Sequence, residues 1–211
     1  MSHKVCHYHQ KSKWRKLAVR FLSGLLISAF IILVVVLIVW AVLKPKPPRF
    51  VLQDATIFAL NVSAAPNIIS TNMQITVLSR NPNSKIGIYY DRMDAYAAYR
   101  GQQITFFTAI PPVYQGGKDV DVWSPFVSGN AVPVAPYNGI SLCQDQANGL
   151  VSVTIKLNGR VRWRVGSFVS GGYHLHVSCL ASIPLGNSNN INGGASMAIK
   201  YELSQSCSVS V

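Results

Sequence analysis

Apolar positions along this chain follow two different patterns. Across residues 21–43 there is no charge, Pro, Asn or Gln, and residues 31–39 are aliphatic throughout. As a helix rising ~1.5 Å per residue this block covers roughly 34 Å, enough to cross the ~30 Å hydrocarbon core of a bilayer. A soluble helix of that length would carry a polar face, and a secretory signal has a shorter apolar region of about 7–15 residues closer to its start. The pattern therefore predicts one transmembrane helix over 21–43, preceded by a tail, 1–20, expected to be disordered.

Beyond Phe50 no helical period is evident. Short β-branched and aromatic runs are separated by Gly, Asn and Pro, and they predict strands over 50–62, 73–79, 86–98, 102–109, 119–127, 150–158, 160–169, 173–181 and 196–210. In Val151-Ser152-Val153-Thr154-Ile155-Lys156-Leu157 every second residue is apolar, so one sheet face is buried. Asn158-Gly159 predicts a tight hairpin into Val161, Trp163 and Val165, with Arg160, Arg162 and Arg164 on the opposite face. Gly171-Gly172 turns into a further alternating run from Tyr173 to Cys179, and the stretch 186–194 reads as a polar, Asn-rich loop. Many short strands joined by turns predict an antiparallel β-sandwich over 50–211, with a closed barrel as the alternative. The segment 44–49, Lys-Pro-Lys-Pro-Pro-Arg, reads as a stiff linker of polyproline type.

Charge orients this arrangement. Lys4, Lys11, Lys13, Arg15, Lys16 and Arg20 precede the apolar block, whereas Lys44, Lys46 and Arg49 follow it. Positive flanks resist translocation, so the amino-terminal tail is expected in the cytosol and the β domain outside. The formal charge of +12 belongs mostly to these flanks, since residues 51–211 carry ten bases against seven acids. Without a basic stripe interleaved with exposed aromatics, a nucleic-acid partner is not expected; the expected contact of the basic flanks is the lipid bilayer.

Cysteine placement agrees with export. Cys6 falls on the cytosolic side, and Cys143, Cys179 and Cys207 fall on the oxidising side, where three thiols allow one intrachain bridge. Asn61-Val62-Ser63 is a glycosylation acceptor site if exposed, placing a glycan on Asn61. No serine sits in a Gly-x-Ser-x-Gly elbow and no phosphate-binding loop is present, so the chain is expected to be non-enzymatic and to need no cofactor. His174 and His176 share a strand face without a third ligand nearby in sequence, and read as solvated. The pairs Asp91/Asp94 and Asp119/Asp121 read as surface charge beside Arg92 and Lys118.

Asn81-Pro82-Asn83-Ser84-Lys85-Ile86-Gly87-Ile88-Tyr89-Tyr90-Asp91 is physically a turn followed by a strand. As a pattern it resembles the plant membrane proteins called harpin-induced or non-race-specific disease-resistance-like, whose outer domain is of the second late-embryogenesis-abundant group. Lys46-Pro47-Pro48-Arg49-Phe50, Tyr114-Gln115-Gly116-Gly117-Lys118, Gly159-Arg160-Val161-Arg162-Trp163, Tyr173-His174-Leu175-His176 and Cys207-Ser208-Val209-Ser210-Val211 follow in the family's order. The resemblance implies a plant plasma-membrane protein with a fibronectin-III-like β-sandwich outside, acting in defence signalling through protein partners on either membrane face or through cell-wall polysaccharide. Stress protection at the membrane–wall boundary is the alternative role it implies. It further implies a bridge between Cys179 and Cys207, which both match cysteines at family motifs and lie in alternating segments.

Overall fold

The computed structural model describes residues 3–42, 45–63, 67–184 and 199–211. The chain divides into two compact units, Met1–Lys44 and Pro45–Val211. The first is one helix, α1 (His3–Val42). Its stretch Ala18–Leu37 is long and apolar enough to cross a membrane, and large side chains along it such as Phe21, Phe30 and Leu37 are exposed. The tail expected to be disordered continues this helix. Residues 3–20 contain neither Pro nor Gly, and adding turns to an existing helix avoids the cost of nucleation.

The second unit is two antiparallel sheets over one core. The smaller contains β1 (Arg49–Ser63), β2 (Ile68–Arg80), β7 (Val120–Trp123), β8 (Phe126–Pro133) and β12 (Ile199–Ser206), in the order β12-β1-β2-β7, with β8 also on β2. The larger runs β13 (Ser208–Ser210), β11 (Tyr173–Pro184), β9 (Leu150–Val165), β3 (Ile86–Tyr99) and β4 (Gln102–Gln103). The short strands β5 (Thr108–Ile110) and β6 (Val113–Gln115) also pair with β3, and β10 (Phe168–Val169) pairs with β9. Alternation produces the core directly: Ile69, Met73, Ile75 and Val77 of β2 face Ile88, Tyr90, Ile155 and Val161 of the larger sheet, all nearly or fully buried. Full burial of each such side chain is worth ~1.5–3 kcal/mol. A mainly β, antiparallel sandwich with one apolar helix before it is therefore the architecture.

The predicted hairpin at Asn158-Gly159 is not formed. Strand β9 runs straight through it, and its buried positions 151, 153, 155, 157, 161 and 163 keep a single parity. Gly159 serves a different need. A Cβ there would collide with the Arg92 carbonyl oxygen, next to the bulge of the neighbouring strand between Tyr90 and Arg92. The actual turn comes later, at Gly166 with φ +59°.

A second helix, α2 (Pro136–Ala147), was not foreseen. Pro136, Asn138 and Gly139 in its first turn are poor helix formers in a helix interior, and among its residues only Asn138, Gly139 and Leu142 are buried, too few to print an apolar stripe. Tertiary bonds hold it instead: the Tyr99 hydroxyl donates to Asp145 Oδ2 at 2.6 Å and Arg100 Nη1 to Ser141 Oγ at 2.8 Å. Burial first, then the Asp145 hydrogen bond and charge, push the Tyr99 phenol up to about 12. The predicted strand 119–127 is two strands divided at Ser124-Pro125, and 102–109 is likewise two. The stretch 186–194 lies outside the described residues.

Candidate functional site: an asparagine node and a cationic face

Between β2 and β3 the chain must reverse from one sheet to the other, and Asn81-Pro82-Asn83 makes the crossing. Both asparagines are buried. Asn81 Nδ2 donates to the carbonyls of Ile86 at 2.7 Å and Gly116 at 2.8 Å, while its Oδ1 accepts from the Asn83 backbone N–H and side-chain amide, each at 3.0 Å. Asn83 then passes the network outward. Its Nδ2 donates to the Lys46 carbonyl at 2.8 Å and its Oδ1 accepts from the Lys46 N–H at 3.0 Å. The Asn83 carbonyl accepts from Lys118 N–H, and Lys118 Nζ donates to the Pro82 carbonyl, both at 2.8 Å. The segment read from sequence as a linker is therefore fastened to the domain by Lys46 and by Pro48, which is buried.

A second polar group ties the sheets together inside the core. Tyr90 Oη donates to Gln115 Oε1 at 3.0 Å, Gln115 Nε2 donates to the Ser79 carbonyl at 2.9 Å, and the Ser79 hydroxyl completes the ring with Tyr90 Oη at 2.8 Å. The Tyr90 ring packs edge-on to Phe50 and Trp123. Burial pushes its phenol well above the usual range, so it stays a neutral donor.

Asp121, opposite Ser79 in the register, is the strained member of this neighbourhood. Its Oδ2 is buried without a hydrogen-bond partner, and burial, then the nearby Asp119 charge, raise its carboxyl above the ordinary 3.8. A folded-state pKa above the unfolded one means that the folded state holds the proton more tightly. The stability Asp121 contributes is thus present at low pH and lost as pH rises through its folded pKa. Asp121→Asn is expected to raise the melting temperature at pH 7 by a few degrees and to flatten that pH dependence, as read by thermal unfolding from pH 4 to 7.

The outer face of the larger sheet is built differently. Rows of residues cross it in register: Tyr114, Tyr89 and Arg162 on β6, β3 and β9; Arg92, Arg160 and His174 on β3, β9 and β11; Asp94, Asn158 and His176 on the same three strands. Arg162 is held by Asp91 through two bonds of 2.7 and 2.6 Å, with its guanidinium 5.5 Å from the Tyr89 ring centroid. The Asp91 hydrogen bond, then its charge, raise the Arg162 pKa further. Arg164 lies 5.4 Å from the Tyr114 ring centroid and donates to Tyr89 Oη at 3.2 Å. Arg92 and Arg160 stand directly opposite each other, and like charges in that position cost sheet stability. Arg92 reaches Asp94 at 3.3 Å. The result is a partly exposed face of guanidinium groups and tyrosine rings, with Arg162 and Arg164 held in place, suited to carboxylates and hydroxyl-rich or aromatic partners.

The other residues singled out from sequence are dispersed. Asn61 is exposed on β1, twelve residues from Arg49 and so about 40 Å along the strand from the asparagine node. Cys179 and Cys207 are joined by a disulfide, at a Cα separation of 4.4 Å. Cys143 lies half-buried on α2 and is free. His174 and His176 stack at 6.4 Å, with His176 Nδ1 engaged by Asn158 Oδ1. The acidic pairs are apart in role: Asp91 and Asp94 hold arginines, and Asp119 caps the Val120 N–H. The side chains of Cys6, His3, His7 and His9 lie outside those described.

The late embryogenesis abundant protein family (LEA_2) matches residues 76–180. NDR1/HIN1-like protein 1 of Arabidopsis thaliana is 56% identical, covering 99% of this chain and 100% of that protein. NDR1/HIN1-like protein 12 of the same plant is 48% identical over the whole of both chains. Among solved structures, that of a late embryogenesis abundant (LEA) protein is 18% identical with a TM-score of 0.35, covering 84% of this chain and 91% of that one.

Proposed function

Because the chain belongs to the late embryogenesis abundant (LEA_2) family together with the NDR1/HIN1-like proteins, a plant family of defence and stress, we propose that it is a non-enzymatic, plasma-membrane-anchored defence protein. The helix α1 is the anchor, its basic end cytosolic, and the β unit is extracellular. The working surface is the outer face of the larger sheet, which engages an acidic cell-wall polysaccharide or a protein partner.

The observation that carries the reading is the Arg92–Arg160 pair. Two arginines set opposite each other weaken the sheet; Asp94 reaches Arg92, and an anionic partner would offset the charge of Arg160. Asn61 is itself exposed, so it is open to glycosylation if the β unit passes through the lumen during synthesis.

The test is complementation of a line lacking the gene, scored for elicitor-triggered signalling and separately for survival of water loss. Arg92→Gln/Arg160→Gln is expected to be at least as stable as the parent protein yet to fail in restoring signalling. A variant that restores signalling fully would contradict the assignment of this face. Loss of survival alone, with signalling intact in the null line, would favour dehydration protection instead.

A further inference from the structure

The outer face of the smaller sheet has a different chemistry from that of the larger one. Across residues 56–63 of β1, 68–76 of β2 and 126–133 of β8 no side chain is charged. The outward positions of β2 carry Ser70, Asn72 and Gln74, and the register sets Asn72 beside Ser128 and Gln74 beside Phe126. Hydroxyl and amide groups both donate and accept hydrogen bonds, which suits a neutral sugar and offers nothing to an ionic partner. Two aromatic rings interrupt this polar surface. The register of β1 slips between Ile57 and Ala59, and at that bulge Phe58 meets Phe126, with ring centroids 5.8 Å apart. Phe126 is 55% exposed.

Asn61 stands on the same face, opposite Ser70, and is exposed. From Ser70 to Gln74, the neighbour of Phe126, is four residues of β2, roughly 13 Å. That lies within reach of the two N-acetylglucosamine rings that begin an asparagine-linked glycan. We propose that the glycan on Asn61 lies along this face, its first rings bonded to Asn72 and Ser128 and an apolar ring face packed on Phe126 and Phe58. The occupant is thus carried by the chain itself: it is attached on this face, its hydroxyls match an uncharged surface, and it covers the projecting ring. With the smaller sheet covered, the cationic face of the larger one is left for a partner. The proposal rests on the extracellular reading above, under which the sequon is glycosylated.

The test uses the full chain expressed in plant cells and purified in detergent micelles, with gel mobility before and after glycosidase reporting the glycan on every sample. Thermal unfolding is compared for the parent protein, Asn61→Gln, Phe126→Ser and the double variant. Covering an aromatic ring is expected to make the glycosylated parent melt about 2–5 °C above Asn61→Gln, and Phe126→Ser should remove most of that difference. Asn61→Gln/Phe168→Asn moves the glycan to an acceptor site at 168–170, completed by Ser170 on the other sheet, and a glycan there should give no gain. A glycosylated parent that melts together with Asn61→Gln overturns the packing. A gain undiminished in Phe126→Ser overturns the aromatic contact, and an equal gain from the glycan at 168 overturns the choice of face. A parent carrying no glycan overturns the premise of a modified Asn61, and the proposal with it.

Discussion

Asn81→Ala is expected to destabilise the β unit by about 3 kcal/mol. The substitution removes the bonds to the Ile86 carbonyl and from the Asn83 N–H in a buried site and leaves the Gly116 carbonyl only its 3.4 Å bond from the Asp119 N–H, and each buried polar group left unpaired costs about 1–3 kcal/mol. Asn81→Asp should be no milder, because the side-chain nitrogen that donates to two carbonyl oxygens becomes another acceptor facing them. Asn83→Ala is the informative contrast. It keeps the Asn81 bonds to Ile86 and Gly116 but cuts both bonds to Lys46, so the loss should be smaller and local. Chemical denaturation gives the first comparison. Amide hydrogen exchange gives the second: the Lys46 N–H should exchange much faster in Asn83→Ala while the core amides stay protected. Equal protection of Lys46 in both proteins would mean that the node does not hold this segment.

Cys179→Ser and Cys207→Ser are each expected to lower stability by about 3–4 kcal/mol, from the loop-closure entropy of a 28-residue separation. The position of the bridge explains why so much rests on it. Strand β12 pairs with β1 in the smaller sheet, β13 pairs with β11 in the larger, and Cys207 is the residue between them. Its N–H donates to the Phe50 carbonyl at 2.9 Å and its sulfur reaches fully buried Cys179. The disulfide therefore fastens the crossing between sheets. The double mutant should be little worse than either single one, and Cys143→Ser should change the melting temperature far less. Under reducing conditions the wild-type and double-mutant curves should converge; a persistent gap would assign the loss to packing at position 179.

The strands were legible where one face is buried and the other wet. The alternation in β9 is plain from Val151 to Trp163, and even the error at Asn158-Gly159 was visible in it, because parity passes through Gly159 unbroken whereas a two-residue hairpin needs no such continuity. What sequence concealed was the partner across the sheet. Gly159 is glycine because the bulge at Arg92 presses on it, a fact written on another strand. Helix α2 was concealed for the same reason, since its hold comes from Tyr99 and Arg100 rather than from its own propensities. The asparagine motif stood out as a turn, but its fastening of Lys46, thirty-seven residues earlier, could not be read locally. Likewise Arg160, Arg162 and Arg164 were seen as a strip, while Tyr89, Asp91 and Tyr114, which fix Arg162 and Arg164 in place, come from the facing strands.

Everything proposed for the outer face requires the β unit and the basic tail to lie on opposite sides of the plasma membrane. Protease digestion of intact protoplasts, with separate epitopes on the tail and at the carboxyl terminus, measures this directly. The account predicts that the carboxyl-terminal epitope is removed and the tail epitope survives on a fragment of the size of α1. Glycosidase should increase the gel mobility of the undigested protein, and Asn61→Gln should abolish that shift. A protected carboxyl-terminal epitope with a digested tail would contradict the account.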